Sequence, residues 1–222
     1  MLKNINILED PFYKNIADKI INKFNKKKNQ NIILTGGSAF SKIYPLIKNN
    51  LPIGNKYYLT DERINTNIKK TNYFYLKKNL INKKNVNNFY FINPYPKKID
   101  YECKRYSKII PNKIDLILLS LGVGGHVASI FKKKQTSEKH LQKVIYSKKN
   151  KIRESRISIN FSVINSAKNV FLVLDGKNKI EIFKHYINNT RKNYPVFGIK
   201  NNNTDIFISK NTYKLINKLW KL

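Results

Sequence analysis

Cysteine, acidic residues and long hydrophobic runs are all scarce in this chain of 222 residues. The one cysteine, Cys103, excludes a disulfide framework within the chain and a zinc site built from clustered cysteines. The longest apolar run, residues 114–121, is too short to cross a bilayer and contains Asp115. The beginning of the chain carries acids where a secretory signal needs an apolar segment. We therefore expect a cytoplasmic protein with no membrane partner.

The shortage of acidic residues leaves a large positive charge. The chain has 13 Asp and Glu against 44 Lys and Arg, a formal net charge of +31, which raises the hypothesis of a nucleic-acid binder. Only 5 of the 44 cations are arginine, whose planar fork nucleic-acid readers favour. Lys, Asn and Ile, which have A/T-rich codons, make up 104 residues. We interpret the charge mainly as the imprint of an A/T-rich genome, with no specific nucleic-acid partner, and as a field that attracts anionic substrates.

Glycine is also scarce, and its distribution is informative. Six of the 8 glycines fall in three short segments, at residues 36–37, 122–125 and 176. Glycine is suited to positions where the backbone turns sharply or approaches a ligand closely. These segments are therefore the first places to look for chemistry.

The hydrophobic pattern predicts an α/β fold. Apolar residues at helical spacing over residues 13–24 alternate with short apolar runs at 31–35, 56–60 and 114–121, the last being the best candidate for a central strand. We predict a single domain over residues 1–222, with a Rossmann-like, mainly parallel sheet flanked by helices. Functional groups then gather at the carboxyl ends of the strands. The other predicted strands are 88–92, 143–147, 156–161 and 169–174, and the other predicted helices are at about 38 onward, around 73–80, and at 99–109, 178–188 and 212–220.

Two candidate segments follow the first buried strands. Gly36-Gly37-Ser38 lies between a strand and a helix, where backbone N–H groups and a hydroxyl favour an anion; the alternative is an ordinary turn in which Ser38 caps the helix. Asp61-Glu62-Arg63 offers two carboxylates for acid–base work and an arginine for an oxyanion or a phosphate. The alternative for this second segment is a solvated loop.

The third segment holds a histidine. His126 follows Gly122, Gly124 and Gly125 at the end of the best strand, at a predicted helix start that would favour the neutral, proton-accepting imidazole. The three glycines lack the spacing of a dinucleotide fingerprint. Two further cations stand near strand ends: Arg156 at the start of a later strand, and Lys179 between a strand and a helix. Both suit the binding of a phosphate, and the alternative is that they are ordinary surface cations.

Four segments together resemble a known family. GGSAFSKIY, LTDERINTNIKKTNYFYLKKNLI, LLSLGVGGHVASIF and RISINFSVINSAKNVFLVLDGKNK occur in the order and spacing of the 6-phosphogluconolactonase family, which is akin to the glucosamine-6-phosphate isomerases. The resemblance covers roughly residues 13–200, and the last ~25 residues match poorly. After the histidine the chain reads A-S-I-F, as in the lactonases, where the isomerases carry A-F-N-E-P.

The resemblance implies an enzyme of the oxidative pentose phosphate pathway. It would hydrolyse 6-phospho-D-glucono-1,5-lactone to 6-phosphogluconate without metal or cofactor, as a monomer or homodimer. By the family's motifs, His126 is the general base and Arg63 holds or polarises the substrate. The implied substrate- and phosphate-binding residues are Gly36, Gly37, Ser38, Asp61, Gly122, Gly125, Arg156 and Lys179.

The chain departs from the family's G-x-G-x-D-G-H motif at two positions. Ser120 replaces the first glycine, and Gly124 stands in place of an aspartate that could orient the imidazole or contact sugar hydroxyls. We expect loss of that acid to lower the rate by one or two orders of magnitude, which corresponds to a rise of ~1.4–2.8 kcal/mol in the activation free energy. The alternatives are therefore a catalytically weakened or inactive phosphosugar-binding member, a glucosamine-6-phosphate isomerase or deaminase, and a nucleic-acid binder.

Overall fold

A computed structural model describes residues 4–132, 142–148, 150, 154–190, 192–200 and 202–218. Strands and helices alternate along the chain, as the hydrophobic pattern predicts. The strands are β1 (Asn4–Leu8), β2 (Asn31–Leu34), β3 (Lys56–Leu59), β4 (Asp61–Arg63), β5 (Phe89–Tyr90), β6 (Leu116–Ser120), β7 (Val144–Ser147), β8 (Arg156–Ile159), β9 (Val170–Leu174) and β10 (Thr204–Ser209). The α-helices are α1 (Phe12–Asn25), α2 (Phe40–Ile47), α3 (Asn72–Asn79), α4 (Ile99–Ile109), α5 (Phe161–Ser166), α6 (Ile180–Ile187) and α7 (Lys210–Lys218).

Seven of these strands form one parallel sheet in the order β1-β10-β9-β6-β2-β3-β5. The central strands β6 and β9 read LILLS and VFLVL and are buried almost throughout, since helices cover both faces of such a sheet. From β2 the chain extends the sheet one way through β3 and β5, and then returns to the other side of β2 with β6. The order therefore reverses between β2 and β6, and ligands of parallel α/β sheets bind beside such a reversal.

A second, smaller sheet is antiparallel, with the order β4-β8-β7. Its apolar residues, among them Ile157 and Ile159, belong to the same cluster of buried side chains as the strands of the large sheet. Asp61 pairs with Ser158 and Arg63 with Arg156 in its register. The small sheet therefore places two arginines from distant parts of the sequence on adjacent strands.

The α/β class and most of the predicted elements are confirmed. The predicted helix at 99–109 is α4, and the strand predicted at 169–174 is β9. α2 contains Pro45 and ends two residues later, as expected of a helix interrupted by proline. The last two residues of the helix predicted at 212–220 lie outside the described residues.

Three predictions need correction. The strand predicted at 156–161 ends at Ile159, because the Asn160 side chain accepts a hydrogen bond from the N–H of Phe161 and caps α5. The acidic segment at 61–63 is strand β4 and not a solvated loop. Strands β1 and β10 were not predicted, because polar residues interrupt the apolar pattern in both. β1 reads NINIL and lies at the sheet edge, and β10 reads TDIFIS. No helix among the described residues is long and apolar enough to cross a membrane.

Candidate active site

A cavity of about 500 Å³ opens at the carboxyl edge of the parallel sheet, beside the reversal between β2 and β6. The loops after β2, β6 and β9 line it, and β4 and β8 of the small sheet bring charged side chains to it. Its lining residues are Thr35, Gly36, Gly37, Ser38, Asp61, Arg63, Asn72, Ser120, Leu121, Gly122, Val123, His126, Ala128, Arg156, Asp175, Gly176, Asn178 and Lys179.

The loop after β6 presents His126 to this cavity. The loop folds back on itself through hydrogen bonds from the N–H of Gly122 to the His126 carbonyl, 2.8 Å, and from the N–H of Gly125 to the Gly122 carbonyl, 3.1 Å. Gly124 and Gly125 have φ of 79° and 75°, a left-handed backbone that glycine adopts without strain. The glycine run therefore serves to turn the chain tightly enough to place the imidazole.

The orientation of the imidazole is fixed by a backbone carbonyl. Nδ1 of His126 lies 2.7 Å from the carbonyl oxygen of Val123. A carbonyl oxygen can only accept, so Nδ1 carries the proton and Nε2 is the basic nitrogen of the neutral ring. The ring also packs on Phe131, with 5.0 Å between ring centroids. A positioned imidazole of this tautomer is suited to accept a proton from water.

The predicted helix start at His126 is wrong within the described residues. Residues 127–130 form a tight turn closed by a bridge between Val127 and Ile130, and Ala128 has φ of 49°. The N–H of Ser129 in this turn donates to the Ser158 hydroxyl at 3.1 Å. The turn therefore connects the histidine loop to the small sheet instead of continuing into a helix.

Asp61 and Arg156 form a buried charged pair on the small sheet. Nη1 of Arg156 lies 3.7 Å from Oδ2 of Asp61, whose carboxylate also accepts hydrogen bonds from the hydroxyls of Thr60, 2.8 Å, and Ser129, 2.5 Å. Burial lowers the pKa of Arg156, which the Asp61 carboxylate counteracts. Nε of Arg156 is buried and has no hydrogen-bond partner among the described residues. The two hydroxyls hold the Asp61 carboxylate beside the guanidinium, so Asp61 is placed to orient Arg156.

Arg63 and Lys179 add two further cations to the lining. Nη1 of Arg63 donates to the Lys70 carbonyl at 2.8 Å, which holds the guanidinium at the cavity. Lys179 ends a 3-10 turn that follows Gly176, whose φ is 103°. Only 7% of Lys179 is exposed, and burial lowers its pKa while Asp175 opposes the shift. The lining thus holds three cations against two carboxylates, an excess of positive charge that attracts an anionic substrate.

Glu62 does not line the cavity, and its contacts are structural and not those of the acid–base residue considered above. Its fully buried carboxylate accepts hydrogen bonds from the N–H groups of Arg63, 2.6 Å, Asn72, 2.7 Å, and Tyr73, 2.6 Å. It therefore caps the first turn of α3 and ties that helix to β4. Burial raises the pKa of Glu62 to about 7, against the effect of these hydrogen bonds.

The paired glycines after β2 make room for neighbouring side chains. A Cβ on Gly36 would lie 2.2 Å from Oδ1 of Asn72, and one on Gly37 would lie 2.0 Å from Oγ of Ser120. α2 begins at Phe40, so Ser38 precedes the helix cap at Ala39 and lines the cavity. The segment is therefore a lining turn, consistent with anion binding, and the alternative of Ser38 as the helix cap is wrong.

The structure brings nine of the ten predicted site residues to one cavity. The exception among the described residues is Gly125, which is buried behind the loop against Tyr194 and Ile182 and accepts a hydrogen bond from the N–H of Val196 at 2.9 Å. Gly125 therefore does not line the cavity, and its contacts hold the loop in place. Sequence reasoning missed Asn72 and Asp175 as lining residues, because their position depends on contacts between distant segments.

Within the described residues, no group of three or more His, Cys, Asp or Glu side chains could hold a metal ion. His140 lies outside the described residues. His185 contacts the Thr190 hydroxyl at 2.8 Å and does not line the cavity. The chemistry of the described cavity is therefore that of one imidazole, three cations, two carboxylates, three hydroxyls, two side-chain amides and the backbone amides of the loops.

Comparison with known proteins identifies the family and supports the fold. The sequence pattern of the family described as glucosamine-6-phosphate isomerases/6-phosphogluconolactonase matches residues 6–208. The chain belongs to this family. The crystal structure of 6-phosphogluconolactonase from Thermotoga maritima superposes with a TM-score of 0.82 over 94% of this chain and 99% of that one, at 22% identity, which supports the fold.

Two curated relatives carry the family's two activities in their names. A 6-phosphogluconolactonase of Chlamydia pneumoniae is 27% identical over 122 residues, 50% of this chain and 47% of the relative. A glucosamine-6-phosphate deaminase of Clostridium novyi is 33% identical over 128 residues, 50% of this chain and 53% of the relative. The chain spans about half the length of these relatives.

Proposed function

We propose that this protein is a 6-phosphogluconolactonase, which hydrolyses 6-phospho-D-glucono-1,5-lactone to 6-phosphogluconate. The observation that carries the proposal is His126, held by the Val123 carbonyl with Nε2 as its basic nitrogen, in a cavity that also holds three cations. A lactone with a phosphate needs a base for water, a positive group for the oxyanion and an anchor for the phosphate. The cavity holds a residue for each of these tasks.

The proposed reaction proceeds in two steps. Nε2 of His126 takes a proton from water, and the resulting hydroxide adds to the lactone carbonyl carbon, whose oxygen becomes negative beside Arg63. Collapse of this intermediate breaks the bond between the carbonyl carbon and the ring oxygen. The imidazolium returns its proton to that oxygen, which leaves the open-chain acid and restores the neutral histidine.

Arg156 and Lys179 are proposed to bind the phosphate, together with the turn at Gly36, Gly37 and Ser38. Both cations are largely buried at the cavity, whereas most of the chain's lysines are solvated, and burial strengthens the pairing with an anion. Backbone N–H groups ahead of a helix and a serine hydroxyl complete a phosphate site of familiar chemistry. The net charge of +31 adds a long-range attraction for such a substrate.

The residues after the histidine favour the lactonase over the deaminase. The chain reads A-S-I-F there, and Ser129 in this stretch donates to Asp61 at 2.5 Å. At the position where the isomerases carry the glutamate that assists their proton chemistry, this chain has Phe131, which packs on the His126 ring and cannot transfer a proton. A weakened, phosphosugar-binding protein is the second candidate, because Gly124 lacks the family's acid.

We further propose that the protein acts in the oxidative pentose phosphate pathway, in the cytoplasm, as a monomer or homodimer.

Replacement of the proposed base tests the function. We expect His126→Ala to lower kcat for lactone hydrolysis by about 10²–10⁴-fold, since that is the contribution of a positioned general base. The measurement is a coupled assay for 6-phosphogluconate with the spontaneous rate subtracted. His185→Ala is the matched control, because this histidine lies outside the cavity, and it should stay within about twofold of wild type. Retention of full activity by a folded His126→Ala variant would overturn the assignment of the base.

A further inference from the structure

Asn72, the first residue of α3, lines the cavity but has no part in the proposed reaction. Its side chain is almost fully enclosed, with 3% of the residue exposed. We infer that Oδ1 of Asn72 binds a ring hydroxyl of the sugar and makes the enzyme selective for substrates that carry it. The inference rests on the proposed function, since it assigns a specificity residue to the same site.

The amide of Asn72 has one orientation. Nδ2 donates to the backbone carbonyl of Asp61 at 2.7 Å, and a carbonyl oxygen can only accept, so this atom is the NH₂ group. Oδ1 therefore points the other way, over the backbone of Gly36. A Cβ on Gly36 would come within 2.2 Å of Oδ1, so only glycine at this position leaves the oxygen where it is.

The residue is also held through its backbone. Its N–H donates to Oε1 of Glu62 at 2.7 Å, and the Thr71 side chain caps the same helix by accepting from the N–H of Phe74 at 3.1 Å. Both ends of Asn72 are thus tied to neighbouring elements before any ligand binds. A side chain fixed in this way loses little conformational entropy when it accepts a hydrogen bond from a ligand.

The chemistry of Oδ1 selects the kind of group it can bind. Among the described residues, none donates a hydrogen bond to Oδ1, and Asn72 lines the cavity, so the oxygen is an acceptor available to a ligand. A phosphate dianion and a lactone carbonyl offer only acceptors and would be repelled. The hydroxyl groups at C2, C3 and C4 of the lactone are donors. Oδ1 therefore recognises the polyol part of the substrate.

Deoxy substrates test this assignment directly. The kcat/KM values of wild type are measured for 6-phosphogluconolactone and for its 2-deoxy, 3-deoxy and 4-deoxy analogues, and the measurements are repeated with Asn72→Ala. We expect wild type to discriminate against one analogue by about 10- to 100-fold, the usual effect of leaving one enclosed acceptor without its donor. In Asn72→Ala that ratio falls to within about threefold of unity, because the natural substrate loses the same factor.

Asn79→Ala is the matched control. Asn79 is the last residue of α3, and its amide donates to the Tyr75 carbonyl at 2.8 Å, away from the cavity. This variant should keep the wild-type rates and the wild-type discrimination. A general weakening of the helix would change the amount of active enzyme but not the ratio of two substrates measured on one preparation.

The outcomes separate this inference from the proposed function. Unchanged discrimination against every deoxy analogue in Asn72→Ala, or in Asn72→Ser if the alanine variant does not fold, overturns the role of Asn72 while leaving the lactonase intact. If wild type hydrolyses none of the lactones, the proposed function fails. Calorimetric binding of 6-phosphogluconate and its deoxy analogues then tests Asn72, and equal affinities of wild type and variant for all of them would overturn its role.

Discussion

The two sheets of the protein contribute to the cavity in different ways. The large parallel sheet contributes loops, whose glycines shape the backbone and position the histidine. The small antiparallel sheet contributes charge, because Asp61, Arg63 and Arg156 all lie on its strands β4 and β8. In the proposed enzyme, His126 on a loop of the parallel sheet should set the chemical rate, and Arg156 on the small sheet should set the binding of the phosphate.

Removal of a cation from the small sheet should act on substrate binding. We expect Arg156→Met to raise KM for the phosphorylated lactone by about 10- to 100-fold with kcat within threefold of wild type, because a charge-assisted hydrogen bond is worth ~1.5–3 kcal/mol. The measurement is steady-state kinetics with both 6-phosphogluconolactone and unphosphorylated gluconolactone. KM for the unphosphorylated compound should not change.

Lys168→Met is the control for Arg156, since Lys168 pairs with Asp115 at 3.0 Å and lies outside the cavity. It removes the same unit of charge and should leave KM within about 1.5-fold. An equal rise in KM for both lactones in Arg156→Met would show that the arginine does not bind the phosphate, and would break the division between the two sheets.

A methyl group on the parallel-sheet loop should act on the rate instead. A Cβ on Gly122 would lie 2.1 Å from Cε1 of His126, so Gly122→Ala must displace the imidazole, and we expect kcat to fall by about 10- to 100-fold with KM nearly unchanged. Gly124 has open space at the corresponding point, although its φ of 79° strains any residue other than glycine, and Gly124→Asp restores the family's acid. Because the Val123 carbonyl already orients the ring, we expect Gly124→Asp to change kcat by less than threefold. A tenfold gain in Gly124→Asp would show that the missing acid limits the rate.

Glu62 connects the small sheet to α3 and should control stability rather than chemistry. Burial raises the pKa of this carboxyl to about 7 in the folded protein, from its ordinary value of 4.5. The folded state therefore binds more protons than the unfolded state between these two pH values, and stability falls as pH rises through them. Relative to Glu62→Gln, the wild-type free energy of unfolding should drop by up to about 3 kcal/mol from pH 4.5 to 7.

Urea denaturation of both proteins at pH 4.5, 5.5, 7 and 8 measures this difference. A stability difference that is flat across the series would mean that the hydrogen bonds from Arg63, Asn72 and Tyr73 keep the carboxylate ionised throughout. The experiment therefore shows which of the two influences on Glu62, burial or hydrogen bonding, prevails.

The sequence predicted the buried central strands of the parallel sheet better than strand β4 of the small sheet. Buried strands such as β6 and β9 are continuous apolar runs that end in glycine or a charged residue, so local pattern is enough to find both the strand and its functional loop. β4 consists of three charged residues whose strand character comes from pairing with β8, more than ninety positions later in the chain. A local pattern carries no information on such a partner.

The same limit applies to the candidate site. The scarcity of glycine and arginine led to nine residues that the structure gathers in one cavity. Gly125 was assigned to substrate because it shares the glycine run, yet it packs against Tyr194. Asn72 was missed because its position depends on Gly36 and Asp61, which lie close to it only in the folded chain.

The most direct measurement is the rate at which the purified wild-type protein hydrolyses 6-phosphogluconolactone, followed alongside the conversion of glucosamine-6-phosphate. The account predicts 6-phosphogluconate formation that rises in proportion to protein concentration above the spontaneous rate, with no ammonia released from glucosamine-6-phosphate. Lactone hydrolysis no faster than in buffer, with release of ammonia from the amino sugar, would contradict it.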